Sequence, residues 1–392
     1  MAARSRERGG HGVERVQAAA ARRARLRIGA ASVCAALAAT AALATLPWTS
    51  RWAEYVDVAA FDAHVRWIRL RDAPQATRFD PDVAIVGVDA ASLNAVGAVR
   101  IEDREAVEAL GAALAGIASA APRAIVIDLP WPADRAGDAL VDGVARASAV
   151  APVVLVVERD ASGRSLSQPA YAFDARNVAA PALGSALDAV DVDGIVRRVP
   201  AGDAALPTVI EAVARRLGRA GATEGWIDFT RGAPFAHVPL EYVARWHRTG
   251  DRERLRAVLG DRIVLVGDLL PGARRVALPV RLAAWESGER APRVVAHAQA
   301  LRSITGAGLV RPAAGWIGLG LAFAFALAAV PASARLRWSL LSAGAVAAFV
   351  WTAAIHEQGR FVPLGHAAIS GVAAAVLRAA LERRRTAGSE AR

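Results

Sequence analysis

Residues 83–89 read VAIVGVD, a run of small and β-branched apolar side chains that closes on a carboxylate. The run does not alternate between apolar and polar positions, so the strand it forms needs cover on both faces. RAIVIDL (123–129), PVVLVVE (152–158) and RIVLVGD (262–268) repeat the pattern. Stretches of helical periodicity separate them, from Asp103 to Ser119 and over Ala136–Ser148. That alternation predicts parallel strands buried between helices. A Ser/Pro/Asn-rich loop (161–181) is followed by GIVRRVP, a helix at Thr208–Leu217, WIDF, FAHVPL and a helix over Leu240–Trp246. A further helix, Val295–Ile304, follows the last buried strand. The fold class expected for residues 52–312 is an α/β domain with a largely parallel or mixed sheet.

Four apolar segments flank this region. Ile28–Leu46 follows an N-terminal tail (1–27) that carries eight arginines, and Ala313–Val330, Trp338–Ile355 and Phe361–Leu381 come after it. At about 1.5 Å rise per residue each approaches or exceeds the length needed to cross a ~30 Å hydrocarbon core. Read as an uncleaved anchor, the first makes a topology of one transmembrane helix before the domain and three after it. A cleaved signal peptide is the competing reading of that first segment. Residues 53–70 are expected to form an amphipathic helix that continues from the first span. Arginines in short flanks mark the cytoplasmic side. The N-terminal tail, the Arg335/Arg337 loop and the tail from 382 to 392, with Arg383–Arg385, are then inside, and the HEQGR loop is outside. All these placements agree with four spans, and they set the domain outside the cytoplasm.

Composition supports a membrane protein with one water-facing domain. Hydrophobic residues make up 54% of the 392 and the formal net charge is +11. Mean hydropathy is +0.29 and the pI is about 11.2. All 48 basic residues are arginine. The excess gathers in short runs beside apolar segments, which points to membrane orientation rather than to nucleic acid. The single cysteine, Cys34, lies in an apolar run and excludes disulfides and cysteine metal clusters within the chain.

Three aspartates, Asp89, Asp128 and Asp268, close three of the apolar strands. Ligands of parallel α/β sheets bind at the carboxyl ends of strands, so the three could together hold a cation or a basic ligand. Alternatively each caps the helix that follows, as Asp89 would before AASLN. VDVDGIVRRVP (190–200) admits three readings. As an EF-hand loop with Gly194 at the sixth position, it would have Ala189 first and Pro200 last, and the match fails. As a haloacid-dehalogenase-like phosphohydrolase, Asp191 would be the nucleophile, Asp193 the general acid, and VLVGDLL (264–270) the metal motif. There is no lysine to steady a phosphoaspartate, and Gly272 stands where that motif would place another aspartate. The third reading is an Asp–Gly hairpin turn, after which Arg197 and Arg198 point to opposite faces of a strand. One arginine would pair inward with Asp191 or Asp193, and the other would meet solvent or a ligand. His297, on the last helix, is expected to be buried and hydrogen-bonded, with pH sensing as the alternative. The chain contains no nucleophile elbow, P-loop or dinucleotide fingerprint, and no metal or cofactor is expected.

The order of these segments resembles the type-2 CHASE sensor domain, an extracytoplasmic module with one span before it and usually three after. The matching stretches are FDAHVRWIRLRD, DPDVAIVGVDAASLNAVG, RAIVIDL, DVDGIVRRVP with LPTVIEAVARRLG, IDFTRGAPFAHVPLEYV, LGDRIVLVGDLLPG and RVVAHAQALRSITGAGLVRP. AVRIEDRE stands where the family has a Trp-Pro-rich segment, and PGARRVALPV where it has an aspartate and a Thr-Pro. The resemblance implies a sensor in a bacterial inner membrane with a periplasmic domain, and no enzyme. Asp89, Asp128, Asp193, Arg197, Arg198, Asp268 and His297 are its ligand-sensing candidates. The chain closes soon after its fourth span, so output is expected through a kinase, cyclase or regulator in trans. The membrane and a second copy of the chain complete the partners considered, with no nucleic acid. A scaffolding envelope protein that has lost sensing is the alternative from another class.

Overall fold

The computed structural model describes residues 47–72, 80–130, 138–158, 181–203, 205–219, 223–329 and 333–390, with Ala31, Cys34, Ala38 and Phe173 as isolated positions. Most of the first expected span (28–46) and most of the 161–181 loop lie outside the described residues. The chain divides into two compact units, one of Val65–Arg311 and the other of residues up to His64 with Pro312–Arg392. Helix α1, Pro47–Arg71, contributes to both.

In the Val65–Arg311 unit the four apolar runs enter one sheet. They form β1 (Val83–Val88), β2 (Ala124–Asp128), β3 (Val153–Val157) and β6 (Ile263–Asp268), joined by β4 (Ala182–Ser185) and β5 (His237–Pro239). The strand order is β4-β3-β2-β6-β1-β5. Every pairing is parallel, so the mixed alternative falls away. On one face Val86, Ile125, Leu155 and Val264 share a core with α3 (Arg104–Ser119), α4 (Asp138–Ser148), α6 (Leu240–Thr249) and α7 (Arg252–Leu259). On the other face α5 (Val209–Arg216) packs on β3 and β4, and α8 (Arg293–Thr305) packs on β1 and β6. Both faces are covered, which is why the strands carry continuous apolar runs. A short helix, α2 (Ala90–Val96), follows β1.

α8 sits close to the sheet. A Cβ on Gly267 of β6 would stand 2.5 Å from Val294 Cγ2, so a larger residue there would push the helix outward. All twelve residues from Arg293 to Ile304 are buried, Arg293, His297, Gln299, Arg302 and Ser303 among them. Burying such groups is unfavourable unless each finds a partner. Three elements depart from the sequence expectation. β4 falls in ALGS, which small residues made look like coil, and Gly184 lets it approach the backbone of Val209. α7 is read from DRERLRAVL, whose charge hid its buried Leu255, Val258 and Leu259. Of WIDF only Trp226 joins a strand, in a ribbon with Arg198–Val199 outside the main sheet.

The second unit contains α9 (Gly315–Ala328), α10 (Ala334–Glu357) and α11 (Gly365–Glu390). Among the described residues α10 alone is long and apolar enough to cross a membrane by itself. At about 1.5 Å per residue the 14 residues of α9 reach only ~21 Å, short of the span expected for 313–330. α11 has the length, but its last turns, from Glu382 on, are polar. Inside this unit His64 accepts or donates at 3.1 Å to the Thr352 hydroxyl, and Phe61 meets Phe361 edge-on at 5.5 Å. Arg337 and Arg378 both reach Glu382.

Candidate functional site at the carboxyl edge of the sheet

β2, β6 and β1 are neighbours, so Asp128, Asp268 and Asp89 stand side by side at the carboxyl edge. Each has its own local partner. Asp89 caps α2 by accepting the Ser92 N–H at 2.8 Å, and its other oxygen lies 3.2 Å from His237 Nε2. Burial pushes its carboxyl upward, but the bonds from Ser92 and His237 outweigh that and hold it below the usual range. Asp268 accepts the Leu270 N–H at 2.8 Å. Burial first, and then the like charges of Asp128 and Glu102, raise its pKa. Among the described residues no group of three His, Cys, Asp or Glu side chains could hold a metal ion.

Asp128 is the hub. Its side chain is 2% exposed, with Oδ1 accepting Arg293 Nη2 at 2.8 Å and Oδ2 lying 2.8 Å from His297 Nδ1. The other ring nitrogen, Nε2, accepts the backbone N–H of Leu187 at 2.9 Å. Nε2 is therefore the acceptor, and the ring carries its proton on Nδ1, where it donates to Asp128. Burial alone would raise the Asp128 carboxyl. The hydrogen bonds from His297 and Arg293, with the charge of Arg293, overcome that and hold it well below the carboxylate range. Arg293 Nη1 donates to Glu158 Oε1 at 2.6 Å and lies 3.7 Å from Asp188. Burial disfavours the Arg293 cation, but Asp128 and Glu158 more than compensate and raise its pKa. Arg274 extends the chain of charges, 3.4 Å from Asp188 and 3.8 Å from Glu158. The ends of β2 and β3 and the segment after β4 are thus tied to the first turns of α8.

The rest of α8 is held by the loop after the Arg198–Val199/Gly225–Trp226 ribbon and by Asp80 ahead of β1. Gln299 Nε2 donates to the Asp228 carbonyl, and Arg302 Nε stands 2.9 Å from Asp80. Arg302 also lies over the Phe235 ring at 3.6 Å. Burial is the main reason its pKa is pulled down to about 10.

VDVDGIVRRVP forms a tight turn. The Gly194 N–H bonds the Asp191 carbonyl, the Asp191 N–H bonds the Ile195 carbonyl, and Gly194 has φ +81°. It is not the hairpin expected, because Ile195 bridges Ala277 and Arg198–Val199 pairs with Gly225–Trp226. Arg197 is fully buried and grips both carboxylates, Asp193 at 2.7 Å and Asp191 at 3.1 Å. Arg198 Nε pairs in charge with the other oxygen of Asp191 at 2.9 Å, and its guanidinium lies over Trp226 at 4.3 Å. Burial raises Asp191, whereas the hydrogen bond from Arg197 lowers Asp193. A phosphoaspartate chemistry needs Asp191 at the end of a buried parallel strand. The turn lies outside the six-stranded sheet, so the haloacid-dehalogenase reading loses its geometry.

Of the seven candidate residues, Asp128 and His297 are brought together, and Asp193, Arg197 and Arg198 form a second group. Asp268 closes the strand next to the hub's, and Asp89 follows β1, one strand further along on the same side. Arg293, Glu158, Asp188 and Arg274 were not foreseen. Arg293 and His297 are four residues apart and so share one face of α8, a spacing that would have marked the pair.

No curated protein and no solved structure matches the chain. A family model does, over residues 35–332, from within the first apolar segment to just beyond α9. With three quarters of its length matched, the chain belongs to the CHASE2 domain family, a family of extracytoplasmic sensor domains.

Proposed function

We propose that this CHASE2 protein is a membrane-anchored sensor with its α/β domain outside the cytoplasm and both termini inside. Four spans, 28–46, 313–330, 338–355 and 361–381, carry the domain in the inner membrane of a bacterium. One observation supports the membrane reading most directly. Trp316, Leu319, Phe323, Trp338, Val346, Val350, Val372 and Val376 of α9, α10 and α11 are exposed, a distribution that water does not favour and lipid does. Reporter fusions after residues 150, 334 and 392 test it, with the expected readings outside, inside and inside. A cytoplasmic signal at 150 overturns the topology.

A stimulus acting at the carboxyl edge would be felt by α8 through Asp128, Arg293 and His297. Six residues beyond α8 the chain reaches Arg311 and then α9. The ligand must bind two arrangements of that helix with different affinity to send a signal. Asp89, Asp193, Arg197, Arg198 and Asp268 serve in this reading to shape the edge. Output passes to a kinase, cyclase or regulator in trans, or through a second copy of the chain. Crosslinking in native membranes should recover that partner, and its repeated absence removes trans signalling. The saturated pairing of Asp128 and Arg197 favours a second reading, a scaffold that keeps the fold without sensing. Thermal-shift screening of the full chain separates the two, since a bound ligand stabilises the native state and a scaffold stays silent.

A further inference from the structure

We propose that a cavity beside Asp188 and Arg274 is the ligand site and that it takes a small zwitterion of the α-amino-acid type. The inference rests on the sensor reading and gives it a ligand class. The cavity measures about 510 Å³ and is lined by Ser185, Asp188, Gly202, Asp203, Thr208 and Arg274, with neighbours. It therefore lies beyond the carboxyl end of β4, where ligands of parallel sheets bind, and its size suits a small molecule.

The charge of the lining selects the ligand. It offers two carboxylates and one guanidinium, and no aromatic ring among the described residues. A polyphosphate would meet more negative than positive charge, and a sugar would find no ring to stack on. A molecule bearing one ammonium and one carboxylate matches both signs. Arg274 has bonding capacity to spare, because its side chain is half exposed and its carboxylates stand 3.4 and 3.8 Å away. Those separations are well beyond a charge-assisted hydrogen bond of about 2.7–2.9 Å. Arg293 next to it has bonds of 2.6 and 2.8 Å and is only 9% exposed, so it is closed to a ligand. Asp188 is held as loosely as Arg274, since its Oδ1 stands 3.4 Å from that guanidinium and 3.7 Å from Arg293 and accepts no hydrogen bond. The geometry pairs the ligand carboxylate with Arg274 and its ammonium with Asp188 and Asp203.

The site is also connected. Leu187, one residue before Asp188, donates its N–H to His297, and Asp188 itself lies 3.7 Å from Arg293. Occupancy at Asp188 thus acts on two side chains of α8 within one turn of each other.

The test uses the full chain purified in detergent, with thermal shift and calorimetry against individual α-amino acids. Their decarboxylated amines and deaminated acids are the matched controls. At least one amino acid should bind, and its amine and acid counterparts should bind at least about tenfold more weakly. Arg274→Gln should weaken binding by a similar factor. Ala201→Trp, an exposed lining position outside the ion pairs, should block the cavity while the protein keeps its melting temperature. The proposal is overturned if no amino acid binds, or if binding ignores both substitutions. A low-molecular-weight cell extract distinguishes the two levels of failure. If the extract stabilises the wild type but not Ala201→Trp while every amino acid is silent, the zwitterion class is wrong and sensing stands. If the extract is silent as well, both fall.

Discussion

Arg197 and Arg293 are both buried guanidiniums held by aspartates, yet they are assembled from different distances along the chain. Arg197 finds Asp191 and Asp193 six and four residues away, across one glycine turn. Arg293 finds Asp128 and Glu158 at separations of 165 and 135 residues. The first cluster closes a small loop and needs little else in place. The second exists only when β2, β3 and α8 are already packed, so the entropy of ordering three elements is spent before the charges meet. The local cluster fixes the shape of one turn, and the distant one registers a helix against a sheet.

Breaking the distant cluster should cost most. Arg293→Met leaves Asp128 charged and buried without its cation, for a loss of about 3–5 kcal/mol in chemical denaturation. The double variant with Asp128→Asn should recover part of that loss; if it recovers none, the pair is not coupled. Acid should weaken the same cluster without mutation. Asp128 is held below its ordinary value, so its contribution is complete above about pH 4 and is lost as the pH falls further. Asp191 is raised, and its protonation favours the folded state. Asp128→Asn should therefore flatten the loss of stability between pH 7 and 3, whereas Asp191→Asn should steepen it. Equal slopes would erase the distinction.

Arg197→Met should cost less, about 1–3 kcal/mol, since Asp191 keeps Arg198 and Asp193 is 27% exposed. A loss as large as that of Arg293→Met would mean that the turn is no more local than the sheet edge. Gly194→Ala is the mildest. Nothing lies within 4 Å of the added Cβ, so only the left-handed backbone is penalised, by about 1 kcal/mol.

The same contrast explains how much could be read in advance. VAIVGVD, RAIVIDL, PVVLVVE and RIVLVGD announced their strands because cover on both faces demands unbroken apolar side chains. Asp89 announced its cap, since it stands directly ahead of the helical stretch AASLN. The turn at Gly194 was visible for the same local reason, although the strand pairing after it was not, because Trp226 and Ala277 lie far along the chain. Asp128 and His297 were each noticed alone. Nothing local joins them, and Arg293, which completes the group, stands 165 residues from Asp128. The spans are a different case: composition proposes 313–330 as a crossing, and the helix within it runs over Gly315–Ala328. Residue composition does not register where a helix begins and stops.

The strand order has a consequence for the order of events when the protein is made. β6 lies between β1 and β2, although 134 residues separate the end of β2 from its first residue. Until Ile263–Asp268 arrives, β1 and β2 have no shared neighbour and the sheet exists as two fragments with open edges. Such a topology folds slowly, because its contacts are distant in sequence. Those edges are also the part of the nascent chain most open to mispairing with other chains. A fragment that stops before residue 263 should therefore aggregate, and the whole domain must clear the ribosome and the membrane before its centre can close.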